Sequence, residues 1–343
     1  MVNKLALLIK KKAQLDSLRP LPKQTLQSLE DWLKVELTYS SNAIEGNTLT
    51  RRETAEVIDK GVSAVISGKP LKDLLEARNH AQALEFIKEL ARKRKGYQFV
   101  TEDDIKAIHK IILTGIEDGW AGLYRQMEVF IRGSNAEFPH PREIPTLMKK
   151  FIDWLHNLQD THPVRVAADA HFKFVTIHPF KDGNGRTARL LMNLILILTG
   201  YPMAIIRNEE RTAYLSTFDH MRNYHNMQPF YDLIESAVER SLDAYINAAL
   251  GKAVLPSLLG EAAETAEDKL LKIGQLAKAA EESVPTIRYW TKEGLLKVAS
   301  ISKGGYQLYD HQQIDQTKEI RYLQNELRLT IAEIKKKLGI RVK

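Results

Sequence analysis

The sequence predicts a mainly α-helical body with one short β-hairpin, followed by a small, separate basic module. Three observations lead there. Apolar residues in most segments of the body recur at three- and four-residue steps, the period of a helix with one buried face. One stretch, RQMEVFIRGSNAEFPHP, breaks that rhythm by placing Gly133, Ser134 and Asn135 inside a β-favouring run. Over 249–267 the chain runs through Gly, Pro and then an acidic Ala/Glu tract, which reads as a linker.

The elements follow in order. Residues 1–100 form an N-terminal helical region. Within it Leu26, Leu29, Leu33, Leu37 and Ile44 mark a helix over about 26–46, with Gly46 as its stop. A core domain spans 101–248. It opens on TEDDIKAIHKIILTGI, where Thr101 is placed to cap a helix whose first turn is acidic. IPTLMKKFIDWLHNL and VRVAADAHFKFVTI carry the same period. Residues 268–343 form the last unit: two short helical runs joined by a turn, then Gly304 and Gly305 between β-favouring residues.

With 343 residues, 44% hydrophobic and 27% charged, the composition is that of a globular protein large enough for two buried cores. The absence of cysteine excludes disulfides and thiolate metal sites. The longest apolar run, Leu190 to Thr199, is interrupted by Asn193 and falls short of the roughly 18 residues a membrane span needs. A cytoplasmic protein with no membrane partner is the expectation. Net charge is +7 and unevenly spread, with 15 Lys+Arg against 9 Asp+Glu in residues 268–343. A basic module on a near-neutral body points to a polyanion partner.

The densest chemistry lies in IHPFKDGNGRTARLLMNLILILTG, residues 177–200. Gly183-Asn184-Gly185 lets the backbone turn and aim successive N–H groups at one point, where the following helix also points its N-terminus. Arg186 and Arg189 share a helical face and can grip phosphate oxygens as forked donors. Asp182 is a natural Mg²⁺ ligand beside a polyphosphate. His178 is the one side chain in the loop whose ordinary pKa suits a general base near neutral pH.

His178-Pro179-Phe180-Lys181-Asp182-Gly183-Asn184-Gly185-Arg186-Thr187-Ala188-Arg189 resembles the full signature of the Fic family, HPFx(D/E)GNGRxxR, with no departure. The resemblance covers about Leu26 to Ala249. It implies an all-α Fic fold, a helical bundle with a hairpin flap, and transfer of AMP from ATP to a Ser, Thr or Tyr hydroxyl of a protein. By that resemblance His178 deprotonates the hydroxyl and Asp182 holds Mg²⁺. Asn184 and the flanking backbone would bind the α-phosphate, while Arg186 and Arg189 bind the β- and γ-phosphates. In the phosphorylating, Doc-like branch a lysine replaces the second glycine; here that position is Gly185, which favours adenylyl transfer. Downstream, Tyr214 would stack on adenine and Asn223 would read its edge, and the hairpin at 129–138 would hold the target as an added strand.

Glu45 stands in the last turn of its helix, where the macrodipole disfavours an anion, so it needs a cation from elsewhere. Ser41-Asn42-Ala43-Ile44-Glu45-Gly46 is similar to the family's inhibitory motif, (S/T)xxxE(G/N). That resemblance implies that Glu45 pairs with Arg189 in the space of the γ-phosphate. In some relatives the glutamate also supports removal of AMP by positioning a water.

The basic module resembles a MerR-type winged helix-turn-helix, with Ser283 capping the second helix. By resemblance Arg288 would contact DNA from the recognition helix, and Lys303 and Tyr306 would reach backbone phosphate from the wing. Arg321, Arg328 and Lys335 to Lys337 would extend the basic surface. Glu281 and Glu282 stand where that family has a turn glycine and an apolar residue, and acid there opposes phosphate binding. A homodimer, if formed, is expected through the Fic body. A second function stands beside the transferase: a DNA-binding regulator whose Fic domain senses nucleotide. A metal-dependent hydrolase built on His178 and Asp182 lacks enough ligands.

Overall fold

The computed structural model describes residues 4–340 apart from 22, 65, 131–135, 253, 255–269, 302–306, 311, 326 and 328. The chain divides into two units, Met1–Leu258 and Leu259–Lys343. Most of the span expected as linker, 249–267, lies outside the described residues.

Among the described residues the first unit is all helix: α1 (Lys4–Ser17), α2 (Lys23–Ile44), α3 (Arg51–Lys60), α4 (Leu71–Lys93), α5 (Glu102–Leu113), α6 (Ile144–Asn157), α7 (Pro163–Ile177), α8 (Asn184–Leu198), α9 (Arg211–Tyr224) and α10 (Gln228–Ala249), with short 3-10 turns between some of them. Helix α8 is the axis. Its Leu190, Leu191, Met192, Leu194, Ile195 and Leu196 are all buried, as a helix that is apolar on every side requires. Helix α7 lies along it, with Ala167, Ala168 and Ala170 buried, while α4 and α5 also pack on α8. No helix among the described residues is long and apolar enough to cross a membrane.

The capping signals act as expected. Thr101 Oγ1 accepts from the Asp104 amide at 3.1 Å, and Asp104 Oδ2 accepts from the Thr101 amide at 2.8 Å. Such a cap stabilises a helix by about 1 kcal/mol. Helix α2 stops at Ile44, and Gly46 follows at φ +97°, a conformation that suits glycine.

The turn of the expected hairpin, 131–135, lies outside the described residues, and the flanking 127–130 and 136–140 form no strand. What ties the two flanks together is an arginine. The Arg125 guanidinium donates to Met127 O at 3.0 Å and to Pro139 O at 2.6 Å.

In the second unit β1 (Leu271–Lys272), β2 (Ser300–Ile301) and β3 (Gln307–Tyr309) form an antiparallel sheet in the order β1-β3-β2. Helices α11 (Ile273–Ala279), α12 (Val284–Lys292), α13 (Gln312–Asn325) and α14 (Ile331–Lys337) accompany it. Leu276, Ile287, Trp290, Leu295, Tyr309 and Ile320 form its separate core. Ser283 Oγ caps α12 by accepting from the Thr286 amide at 3.2 Å.

Candidate active site

The six residues between α7 and α8 are held from three sides. Helix α7 ends because His178 turns left-handed, φ +51°, and Pro179 cannot continue a helix. Phe180 then dives into the core and stacks on His109 of α5, ring centroids 3.6 Å apart and nearly parallel. His109 takes the Gly122 amide on Nδ1 at 3.0 Å, so its proton sits on Nε2 and is donated to Asp182 O at 2.9 Å. Arg125 donates from Nε to His178 O at 2.8 Å, and its own amide donates to Pro179 O at 2.9 Å. The Asn184 amide closes the loop on itself. Its Nδ2 donates to Phe180 O at 2.8 Å, and its Oδ1 accepts from the Phe180 amide at 3.0 Å.

This rigid loop presents a cup. Gly183 caps α8 at φ +74°, and a Cβ there would stand 3.3 Å from the His109 ring. The first amides of α8 have no partner within the helix and face outward as a partial positive charge. Two buried arginines rise from the same turn. Arg186 lies with Nη1 2.9 Å from Glu76 Oε1 of α4. That contact is close but poorly aligned, and Arg186 Nε and Nη1 have no hydrogen-bond acceptor among the described residues. Arg186 Nη2 also lies 3.7 Å from Asp182 Oδ2, so the guanidinium is paired with carboxylates yet keeps buried N–H groups that a phosphate oxygen could fill. Glu76 is itself held by Asn47, whose Nδ2 donates to Oε2 at 2.9 Å.

Arg189 is fully engaged. Nε donates to Ser41 Oγ at 3.0 Å, and Nη2 to Ser41 O at 2.8 Å and to Glu45 Oε1 at 2.7 Å. Nη1 reaches the Tyr214 hydroxyl at 3.4 Å, and that hydroxyl also meets His171 Nε2 at 3.0 Å. Burial works against the arginine's charge, but the Glu45 carboxylate and Tyr214 outweigh it and hold its pKa above the usual arginine value. A Cβ on Gly185 would lie only 2.2 Å from Glu45 Oε1. The carboxylate therefore sits directly on the first turn of α8, in the cup.

His178 Nδ1 lies 3.2 Å from Val175 O. A carbonyl can only accept, so Nδ1 carries the proton and Nε2 keeps its lone pair. Burial, and less so the charge of Arg125, lowers its pKa to about 4 against the pull of the Val175 carbonyl, Glu45 and Asp182. The ring is thus a neutral base at physiological pH. Phe138 covers it, with centroids 4.1 Å apart.

Burial likewise lowers His109 to about 4 and both His80 and His171 to about 3. The folded chain refuses protons that the unfolded chain binds below about 6.5. The stability these four rings contribute is fully present above that value and is lost progressively as pH falls from there to the folded values of about 4 and 3. By pH 5 each has lost on the order of 1–2 kcal/mol. Calorimetry of the intact chain should give a lower Tm at pH 5 than at pH 7.5; an unchanged Tm would mean that the rings are protonated in the fold.

The structure brings His178, Asp182, Gly183, Asn184, Gly185, Arg186, Arg189, Ser41 and Glu45 into one site. Two other expected residues are placed differently. Tyr214 is 2% exposed, packed among His171, Phe218 and Phe230, so it backs Arg189 and presents no face to a base. Asn223 is exposed at the end of α9. Beside His178 there is instead a cleft of about 200 Å³ walled by Phe138, Phe172, Phe218, Met221, Arg222 and His225. Asn184 also differs from its expected role, since its side-chain amide is occupied by Phe180 and only its backbone faces the cup. Sequence reasoning missed His109, Arg125, Glu76 and Asn47. A histidine inside the apolar face of TEDDIKAIHKIIL was the one available signal.

Glu76→Gln should therefore unsettle Arg186. Loss of the charge leaves a buried guanidinium less well held, at up to about 3–5 kcal/mol of stability. Because Arg186 would hold nucleotide in ground and transition states alike, KM for ATP should rise several-fold with kcat little changed. A fall in kcat at constant KM would assign Glu76 a different role.

In the second unit Ser283 and Arg288 are described, Arg288 exposed on α12; Lys303, Tyr306 and Arg328 lie outside the described residues. Glu281 adopts φ +56°, the left-handed turn for which a glycine is the usual choice. Glu282 is not left opposing a phosphate, because it forms a two-pronged ion pair with Arg321. That pair removes Arg321 from the free basic surface, and Lys335 is likewise paired with Glu293 at 3.0 Å.

Residues 99–196 match the model of the Fic/DOC family, and residues 271–339 match that of the MerR HTH family regulatory proteins. The protein adenylyltransferase Fic of Nematostella vectensis is 37% identical over 210 residues, 61% of this chain and 48% of that protein. A Fic domain containing signaling protein from Bacteroides thetaiotaomicron is 32% identical in its crystal structure, with a TM-score of 0.66 over 74% of this chain and 100% of that one. Fic-1 from C. elegans is 29% identical, with a TM-score of 0.62 over 71% of each chain. A helical bundle built around this loop defines a Fic-fold protein. The chain belongs to the Fic family, with a MerR-like helix-turn-helix unit at its C-terminal end. It spans about half the length of the curated relatives it matches.

Proposed function

We propose that the chain is a protein adenylyltransferase, held off at rest by Glu45, that moves AMP from ATP to a Ser, Thr or Tyr hydroxyl of a protein. The observation that carries this is a neutral histidine with a free Nε2 lone pair beside an anion cup that contains two buried arginines. His178 Nε2 takes the hydroxyl proton as that oxygen bonds to the α-phosphorus. The bond from the α-phosphorus to the oxygen bridging to the β-phosphorus breaks, and pyrophosphate leaves into the grip of Arg186 and Arg189. The helix N-terminus with the Asn184 and Gly185 amides stabilises the charge that builds on the α-phosphate, while the Gly183 amide donates to Asp182 Oδ1 at 2.7 Å. The base would lie in the cleft of Phe172, Phe218 and Met221, within reach of Arg222 and His225.

Asp182 is the residue to hold Mg²⁺. Its carboxylate is exposed, and no group of three possible metal ligands gathers among the described residues. One carboxylate suits a cation that arrives on a polyphosphate and keeps its waters. When bound, Mg²⁺ neutralises phosphate charge. Removal of AMP from the target would use the Glu45 carboxylate to hold a water and would appear as labelled AMP released from purified modified protein.

The test is label transfer to protein from ATP labelled at the α- or the γ-phosphate. Glu45→Gly should label protein from the α-position only, and Glu45→Gly/His178→Ala should not. Label from the γ-position would mean phosphorylation. With ATP bound but no label from either, the nucleotide-sensor reading takes its place. DNA is the partner we assign to the second unit, where α12 exposes Arg288, Tyr289 and Lys292. Binding that weakens steeply with salt, and further in Arg288→Ala, would support it.

A further inference from the structure

The first unit has a larger concavity that the chemistry above does not use. It measures about 690 Å³ and lies between α6, α7 and the start of α10. Its walls are apolar and largely aromatic: Phe151 and Trp154 of α6, Phe172 and Ile177 of α7, Tyr231 of α10 and Met227 just before it. Methionine and flat aromatic rings accommodate varied apolar side chains at low cost in order.

Its described lining carries two lysines against one carboxylate. Lys150 and Lys173 line the cleft and are both exposed. Lys173 holds its ammonium 5.0 Å from the centre of the Trp154 ring. No carboxylate lies within ion-pair distance of Lys150 among the described residues. Among the described residues the one acid in the lining, Asp169, accepts from the Tyr231 hydroxyl at 2.6 Å and lies in the field of Lys173, which leaves Lys150 as the surplus positive charge.

The cleft also adjoins the smaller one beside the reacting centre. Phe172, Thr176 and Met221 line both it and the smaller cleft under Phe138, the residue that covers His178. A protein segment with one side chain seated here would be fixed next to the catalytic base.

We propose that this cleft is the docking site for the target protein and takes a segment in which a bulky apolar side chain is flanked by carboxylates. The apolar side chain fills the space between Trp154 and Tyr231, and the carboxylates meet Lys150 and Lys173. This rests on the transferase reading, since it names the class of protein that the transferase modifies. Anchoring outside the reacting loop would let the site select targets without altering the cup that holds ATP.

The test uses the intact Glu45→Gly chain and fluorescein-labelled twelve-residue peptides carrying one tryptophan flanked by aspartate and glutamate. Control peptides replace the acids with lysine or the tryptophan with serine. Fluorescence anisotropy should show binding of the acidic tryptophan peptide, at least tenfold weaker binding of either control, and a reversed charge preference in Lys150→Glu/Lys173→Glu. That reversal is a readout that simple damage to the fold could not produce. In label transfer the same double variant should raise KM for a protein target at least fivefold while KM for ATP holds. Equal binding of acidic and basic peptides, or target labelling at unchanged KM in the double variant, overturns the docking proposal and leaves the transferase standing. A charge-selective cleft in a chain that transfers no label removes the transferase reading and with it the assignment of the bound segment as a target.

Discussion

Glu45→Gly should raise AMP transfer about 10- to 100-fold over the unaltered chain, read as initial rates from α-labelled ATP at matched protein and Mg²⁺. The size follows from what must be displaced. A hydrogen bond between charged groups is worth about 1.5–3 kcal/mol, and each 1.4 kcal/mol is tenfold in population. Glu45 Oε1 lies 2.7 Å from Arg189 Nη2 and rests on the first turn of α8 at Gly185, so a polyphosphate and this carboxylate compete for one cation and one helix N-terminus. Removal of Glu45 takes away the carboxylate of a buried arginine, so Tm should fall. Ser41 Oγ, Ser41 O and the Tyr214 hydroxyl remain as acceptors, so the cup should survive. Glu45→Gln keeps the shape and loses the charge, and should fall between the two. Equal rates in all three chains would mean that the pair is a structural contact and not a brake.

The loop itself was legible in the sequence because its chemistry is contiguous: histidine, carboxylate, two glycines and two arginines occupy twelve consecutive positions. The Glu45 contact was legible for a local reason too, since an acid at a helix C-terminus is an anomaly that asks for a cation. Its partner could be named only because a family pattern supplied it. What holds the loop was not legible. His109, Arg125 and Glu76 lie about 50 to 110 residues upstream of what they support. Each also looks ordinary in its own segment; the packing of α4 and α5 on α8 brings in Glu76 and His109, and the loop after α5 brings in Arg125. Tyr214 illustrates the opposite limit. The sequence places an aromatic residue after the loop but not its direction, and its helical register turns it inward onto His171 and Arg189. In the second unit Glu281 and Glu282 looked like defects in a DNA-binding turn. Fold and ion pairing give each a place, the first in a left-handed turn and the second against Arg321.

His178→Ala in the Glu45→Gly background should lower kcat by about 10²- to 10⁴-fold, the usual worth of a positioned general base, with ATP affinity unchanged. Affinity should hold because the ring touches Val175 O and Phe138, not the arginines or the α8 amides. Alanine is poorly suited to the left-handed backbone at this position, φ +51°, so His178→Asn provides the sterner comparison. Asparagine tolerates that conformation and keeps the loop but cannot act as a base near neutral pH. If His178→Asn loses as much as His178→Ala, the loss is chemical; if it restores transfer, the ring serves only to shape the turn. The pH profile separates the two further. Burial holds the ring's pKa near 4, and the Glu45 charge, which raises it, is gone in this background. Above that pH the base is free, so kcat/KM should stay level from about pH 8 down to pH 5 as far as His178 is concerned. It should then fall as the ring takes up a proton. A fall centred near 6.5 would mean that the ring is solvated when the nucleotide is bound, and that the covering contact with Phe138 opens before the proton is taken.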